Sequence, residues 1–233
     1  MNKHHQEARK SSGLLMYSMF KKIGFEVINL IYPPQCVHCG RVDTSFCTAC
    51  TEQLSQEAIV TTLRNLPTNS VIVSTGSHTG ILQSGVQALK YHNETNLAQV
   101  FAMRIAAAIQ ETRWTFDTII PVPLHSSRIQ ERGYNQSQEI ASVLSEVIRC
   151  PSNPHAIQRI RATRSQVDLN REERQNNMNN AFLGNSQEIY GSVILLIDDV
   201  LTTGATITAC AQAAYDAGAK AVYGATVTTA TSI

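Results

Sequence analysis

Apolar residues recur along this chain in two kinds of run, and each kind predicts a different element. Short continuous runs rich in β-branched residues, such as Val193–Ile197, are typical of strands buried on both faces of a parallel sheet. Longer stretches with apolar residues every three or four positions indicate helices. Strands are predicted near Val71–Ser74, Thr118–Val122, Val193–Ile197 and Ala221–Val227. Helices are predicted near Thr51–Leu63, Gly80–Tyr91, Leu97–Thr112, Gln136–Ile148 and Thr203–Ala217.

The N-terminal segment, residues 1–32, is predicted to be a polar tail followed by a helix. Apolar residues from Phe20 to Ile31 recur at helical spacing, which favours a packed helix, with a membrane-surface helix as the alternative. Lys21, Lys22 and Glu26 break the apolar run, so no stretch reaches the roughly 20 residues that a membrane-spanning helix needs. The same breaks argue against a secretory signal. We therefore expect a cytoplasmic protein without a membrane span.

Four cysteines give the first strong chemical signal. Cys36, Cys39, Cys47 and Cys50 form two CxxC pairs with seven residues between them, a spacing typical of a closed tetrahedral zinc site. A closed site of this kind is structural. Three alternatives stay open: a redox dithiol, disulfides, and a site in which His38 replaces one cysteine.

Length and charge limit what the rest of the chain can be. At 233 residues it is too short for two large domains, so we expect one principal domain with a small appendage. The cysteine module is assigned to residues 33–64, residues 65–70 to a linker, and the principal domain to residues 71–233. With 19 Lys and Arg against 18 Asp and Glu, the net charge is +1. Contact with nucleic acid would therefore need a local basic face.

The second strong signal follows the apolar run at Val193–Ile197. Asp198 and Asp199 come directly after it, and a loop of small residues then opens the last predicted helix. That loop consists of Thr202, Thr203, Gly204, Ala205 and Thr206. Its backbone N–H groups and hydroxyls suit a phosphate, because ligands of open α/β sheets collect at the carboxyl ends of strands and at helix N-termini. The carboxylates suit sugar hydroxyls or Mg²⁺, so the implied ligand is a phosphorylated ribose.

The small-residue loop has competing explanations. A Walker A loop needs a lysine that is absent here, and the GxGxxG fingerprint is absent as well. The loop alone could be a simple helix cap. Together with the strand and the Asp pair, however, the thirteen residues from Ile194 to Thr206 resemble the phosphoribosyl pyrophosphate (PRPP) signature of type I phosphoribosyltransferases.

Further segments narrow this resemblance to one family. They are Ala88–Tyr91, Phe116–His125, Arg132–Gln136 and the stretch from Arg161 to Phe182. Together with the two CxxC pairs, these segments resemble the ComF/GntX family of bacterial competence proteins, from about Leu30 to Thr229. The resemblance implies a type I phosphoribosyltransferase-like α/β fold, with a parallel sheet flanked by helices and a small N-terminal zinc module.

The resemblance also implies a role for each candidate residue. Asp198 and Asp199 would be the catalytic pair on the ribose hydroxyls, and residues 202–206 would bind the 5-phosphate. The remaining substrate-binding residues, on the pyrophosphate with Mg²⁺, would be His125, Arg128, Arg132 and Lys90. Residues 161–177 would form a mobile hood over the ligand, with a solvated loop as the alternative.

Two functions of different classes follow from the resemblance. The first is a competence accessory factor that handles imported single-stranded DNA in natural transformation, with PRPP, single-stranded DNA and a competence helicase or DNA-processing proteins as partners. Acidic residues lie among the arginines that could track a phosphate backbone, which are Arg128, Arg132, Arg159, Arg161, Arg164, Arg171 and Arg174. The second is an active phosphoribosyltransferase that uses PRPP and Mg²⁺ in nucleotide or cofactor metabolism. A catalytically silent PRPP sensor is a third alternative.

Overall fold

The structure is a computed structural model, and it describes residues 33–42, 44–56, 62–66, 68, 70–161 and 181–230. Its strands are β1 (Thr62–Asn65), β2 (Val71–Ser74), β3 (Thr118–Pro121), β4 (Ile157–Arg159), β5 (Phe182–Gly184), β6 (Val193–Leu201) and β7 (Ala221–Thr229). Its helices are α1 (Thr48–Gln56), α2 (Gly80–Tyr91), α3 (Leu97–Gln110), α4 (Ser126–Arg132), α5 (Gln136–Ile148), α6 (Ser186–Ile189) and α7 (Ala205–Asp216).

Five strands form the central sheet in the order β1-β2-β7-β6-β3. β2, β7, β6 and β3 are parallel, and β1 is an antiparallel strand at the edge. A separate antiparallel pair joins β4 to β5. The predicted parallel α/β architecture is confirmed.

Helices cover both faces of the sheet, and β6 explains why. Leu195 and Ile197 belong to a core shared with α2, α3 and α5, whereas Ile194 and Leu196 belong to a core shared with α7. Because successive residues of a strand point to opposite faces, an uninterrupted apolar run supplies both cores. Both faces of β6 are therefore apolar along Ile194–Ile197, and the polar residues of the strand lie near its end.

Several predicted boundaries hold and others need correction. β2, α2 and α5 lie where the sequence pattern predicts them. β6 is longer than predicted, because its pairing with β7 continues to Leu201 opposite Thr229. The helix predicted over Thr51–Leu63 was wrong at its end: α1 ends at Gln56, and residues 62–65 pair with β2 as an edge strand.

Two predicted features lie outside the described residues. These are the N-terminal helix within residues 1–32 and, apart from Arg161, the hood over residues 161–177. None of the helices in the described part of the chain combines the length and apolarity needed to cross a bilayer.

Candidate functional site

The four cysteines of the two CxxC pairs come together in space. The Sγ atoms of Cys36, Cys39, Cys47 and Cys50 all lie within 4.8 Å of one another. The Sγ atoms of Cys39 and Cys47 are 3.6 Å apart, close to the roughly 3.8 Å edge of a tetrahedron with Zn–S bonds of about 2.3 Å. The donor set and its geometry therefore fit a metal ion such as zinc.

The thiols of Cys36 and Cys50 have pKa values shifted in opposite directions. Burial opposes ionisation of Cys36, but backbone N–H groups of Cys47, Cys39 and His38 outweigh it and lower the pKa of this thiol to about 6. For Cys50, burial and the neighbouring thiols raise the pKa to about 12. His38 is not part of the cluster, and its Nδ1 lies 3.1 Å from Ser84 Oγ on α2. The structure thus favours four sulfur ligands over a histidine substitute.

The cysteine module, residues 33–56 of the described chain, rests on the main domain. Phe46 packs so closely against α2 that a Cβ added at Gly85 would lie 2.5 Å from its ring. The buried guanidinium of Arg104, on α3, donates to the carbonyl of Leu54 at 2.7 Å and to that of Thr75 at 3.0 Å. The module therefore supports the helix that carries Lys90.

Asp198 and Asp199 lie in the last part of β6 and face the main cleft. Asp199 is buried, and its Oδ1 lies 3.0 Å from Lys90 Nζ. Asp198 Oδ1 accepts hydrogen bonds from Ser137 Oγ at 3.0 Å and from the backbone N–H of Asp199 at 2.9 Å. The two carboxylates are thus held by side chains from two different helices.

The electrostatic states of the two carboxylates are coupled. Burial, followed by the adjacent Asp199, raises the pKa of Asp198 to about 7, although the hydrogen bonds and Lys90 oppose this rise. Near neutral pH, Asp198 can therefore either accept or donate a hydrogen bond. A ligand hydroxyl can form a hydrogen bond with Asp198 in either protonation state.

The small-residue loop after β6 turns through a left-handed glycine. Gly204 has φ +84°, a conformation that L side chains rarely adopt. The amide of Ala205 donates to Thr203 Oγ1 at 3.3 Å, and α7 begins at this residue. Since α7 starts there, the N-terminal end of its dipole lies beside the acid pair.

A second loop closes the other side of the site, after β3. His125 caps α4, because its Nδ1 accepts a hydrogen bond from the Ser127 amide at 3.3 Å. Asn135 Nδ2 donates to the carbonyl of Val122 at 3.1 Å, while its Oδ1 accepts from the Ser137 amide at 3.1 Å. This buried asparagine fixes the start of α5 against the loop.

These elements enclose an open cleft of about 470 Å³. Eight of the residues predicted for the site line it: Lys90, His125, Arg128, Arg132, Asp198, Asp199, Thr202 and Thr206. Gly204 lines a small cavity beside it, whereas Thr203 and Ala205 line neither. The distant segments of the sequence therefore meet at one edge of the sheet.

The cleft lining also includes His78, Gln136 and Ser137, which have no role in the sequence analysis, and Arg159, which appears there only as an arginine that could contact DNA phosphates. His78 Nδ1 lies 2.9 Å from Thr228 Oγ1, and burial followed by Lys90 lowers its pKa. Arg159 stacks over the Phe182 ring at 5.5 Å, and burial lowers its pKa as well. Gln136 ends the segment Arg132–Gln136, which carries part of the family resemblance, and this position is the signal that could have marked it.

This chain is similar in sequence to proteins named for competence and for DNA utilization. No family model matches the chain. Competence protein F of Haemophilus influenzae is 29% identical over 75% of this chain and 75% of its own length. DNA utilization protein YhgH of Salmonella typhi is 31% identical over 65% of this chain and 68% of its own length.

Among solved structures, the glutamine PRPP amidotransferase from B. subtilis matches with a TM-score of 0.38 and 16% identity, covering 63% of this chain. This chain spans about a quarter of that enzyme's length, 26%. Because the cysteine cluster, the parallel sheet and the relatives agree with the motif pattern, the predicted resemblance is confirmed, and the chain belongs to the ComF/GntX family.

Proposed function

We propose that the cleft binds PRPP and that the protein uses this site in the handling of imported DNA during natural transformation. One observation carries the first half of the proposal. The acid pair, the N-terminus of α7 and the arginine-bearing α4 face one cleft. Acceptors for the hydroxyls of a ribose therefore lie close to hydrogen-bond donors for its phosphate oxygens, as a phosphorylated ribose requires.

Each group has a proposed task. Asp198 and Asp199 accept hydrogen bonds from the 2- and 3-hydroxyls of the ribose. The loop of residues 202–206 binds the 5-phosphate through Thr202, Gly204 and Thr206, which line the cleft or the small cavity beside it. His125, Arg128 and Arg132 face the pyrophosphate. Lys90, bonded to Asp199, orients that carboxylate and adds positive charge. Mg²⁺, when bound with PRPP, would neutralise pyrophosphate charge. The two carboxylates supply the oxygen atoms that would hold this ion, directly or through its bound waters.

The names of the relatives support the second half. Proteins named for competence and for DNA utilization share most of this chain's length. We propose that residues 33–56 belong to a structural zinc module and that residues 71–233, with the edge strand at 62–65, form the ligand domain. We propose that the protein acts in the cytoplasm, where thiols stay reduced. Single-stranded DNA and DNA-processing proteins such as a competence helicase are the proposed partners.

Complementation tests this function. In a Haemophilus influenzae strain that lacks Competence protein F, the wild-type chain is expected to restore transformation, and the Asp198→Asn/Asp199→Asn variant is not. The variant Gln138→Ala, altered at an exposed position of α5, serves as the control and should restore it. If the double variant restores transformation fully, the proposed link between the cleft and DNA uptake is wrong.

Direct binding to DNA has its own signature. Affinity for a short single strand should fall steeply as salt rises, because phosphate contacts release counterions. Weak binding that does not change with salt would contradict a DNA groove.

An active phosphoribosyltransferase is the second candidate function. The partly buried Asp198, with its pKa raised to about 7 by burial, is suited to proton exchange near neutral pH. Release of pyrophosphate from PRPP on addition of candidate amines or nucleobases would support catalysis. Binding of PRPP without turnover would favour the silent sensor.

A further inference from the structure

Gln136 is a buried side chain in the cleft with an unused donor. It is the first residue of α5 and is only 1% exposed, yet it lines the cleft. Its Nε2 is enclosed and has no hydrogen-bond partner among the described residues. Since an enclosed donor without a partner is unfavourable, such a group indicates an acceptor supplied by something else.

The surroundings of Gln136 favour an anion as that acceptor. Arg128, Arg132 and Arg159 line the same cleft, and Arg132 Nε is also enclosed without a partner in the described part of the chain. The 13 residues of α5 direct the positive end of their dipole toward its first turn. The nearby carboxylate oxygen, Asp198 Oδ1, already accepts from Ser137 and Asp199.

The neighbours of Gln136 define which part of the ligand it meets. The preceding residue, Asn135, is bonded to the carbonyl of Val122, where the loop after β3 begins. The following residue, Ser137, is bonded to Asp198. Gln136 therefore lies between the loop after β3, where His125 is proposed to face the pyrophosphate, and Asp198 of the proposed ribose site.

We propose that Gln136 is a ligand-contacting residue whose side-chain amide donates to a pyrophosphate oxygen of the bound sugar, an inference that rests on the function proposed above. It extends the anion site from the loop after β3 to the first turn of α5. The arginines give charge, and the glutamine gives direction, because its amide is held by the packed start of the helix.

Calorimetry with two probes tests this assignment. Inorganic pyrophosphate with Mg²⁺, and ribose 5-phosphate, are titrated separately into the wild type, Gln136→Met and Gln136→Glu. Loss of a hydrogen bond to a charged group should weaken pyrophosphate binding about tenfold to hundredfold in Gln136→Met. Gln136→Glu should weaken it further, because it places a carboxylate against the anion. Binding of ribose 5-phosphate should change less than twofold.

Matched controls separate contact from folding. Gln138→Met and Gln138→Glu make the same changes at an exposed position of α5 and should bind both probes like the wild type. Gln136→Met should also melt at a higher temperature than the wild type, because it removes an enclosed donor without a partner.

The outcomes also separate this inference from the proposed function. If Gln136→Met binds pyrophosphate like the wild type while the wild type binds PRPP, the role of Gln136 is overturned and the proposed function stands. If the affinities for both probes fall equally in Gln136→Met and its melting temperature falls as well, Gln136 is a packing residue and the inference is overturned. If the wild type binds neither PRPP nor pyrophosphate, both proposals are overturned.

Discussion

The cysteine cluster and the cleft are built in opposite ways. The cluster takes all of its donors from one stretch between Cys36 and Cys50, and three of its four cysteines are buried. The cleft takes its polar groups from α2, α4, α5, β4 and β6 and stays open. The first is complete within its own segment, whereas the second depends on the packing of the whole domain.

Because of this difference, we expect substitutions to affect the two regions differently. A closed donor set tolerates no missing ligand, because three thiolates leave a metal ion open to water. The cleft is held by pairs such as Lys90 with Asp199 and Ser137 with Asp198, so single changes should alter affinity more than folding. The two regions nevertheless meet, since Phe46 and Arg104 connect the module to the helices behind the cleft.

The largest expected effect comes from removing one ligand of the cluster. Cys47→Ser should abolish stoichiometric zinc and lower the free energy of unfolding by roughly 3 to 5 kcal/mol, since metal binding contributes to folding. Metal analysis and thermal melts check this. Cys150→Ser, outside the cluster, is the matched control and should keep its zinc. Full zinc content in Cys47→Ser would contradict the four-sulfur site.

Asp198→Asn should stabilise the protein in a pH-dependent way. Because the folded-state pKa of about 7 lies above the ordinary value of 3.8, the favourable protonated form is lost from the wild type as pH rises through 7. The free energy of unfolding of the variant should therefore exceed that of the wild type by roughly 1 to 4 kcal/mol at pH 8, and the two should be about equal near pH 4. Denaturant unfolding at both pH values measures this. An equal difference at the two pH values would show that the carboxyl is not destabilised by burial.

Gly85→Ala tests the contact between the two regions. The new Cβ would lie 2.5 Å from Phe46 Cζ and 2.9 Å from Phe101 Cζ, so we expect a loss of about 1 to 3 kcal/mol despite the better helix propensity of alanine. Gln87→Ala, at an exposed position of the same helix, should be close to neutral. Adding Phe46→Leu should recover part of the loss; an unchanged loss would place the strain elsewhere.

The smallest expected effect on stability is at Arg128. Its contact with Glu131, at 3.4 Å, joins side chains that are 40% and 61% exposed, so Arg128→Gln should change the free energy of unfolding by less than about 0.5 kcal/mol. Pyrophosphate affinity should nevertheless fall several-fold, because a cation leaves the cleft. Arg113→Gln, which is exposed and outside the cleft lining, should change neither quantity.

The features that the sequence predicted are those encoded locally. The CxxC spacing, the apolar run before Asp198 and the glycine of the small-residue loop each lie within a few positions of their partners. The end of α1 was predicted wrongly because Thr62 pairs with Ser74 in an antiparallel strand pair. The spacing of apolar residues along one segment does not reveal a pairing with another segment. Residues 62–65 therefore form the edge strand.

Other parts of the site could not be predicted, because they arise from packing between distant segments. Ser137 contacts Asp198 across 61 positions of sequence. Lys90 contacts Asp199 from α2, which lies much earlier in the chain. Gln136 looks like any polar residue at a helix start until its burial is known. Sequence spacing thus identified the chemistry of the cleft, and the fold identified how its groups are held.

The most direct test is calorimetric titration of PRPP with Mg²⁺ into the wild-type protein and into Asp198→Asn/Asp199→Asn. The account predicts a saturable heat with one site per chain in the wild type, and at least a hundredfold weaker binding in the double variant, whose melting curve should still be cooperative. Equal binding heats in the two proteins would contradict the assignment of the acid pair to the sugar.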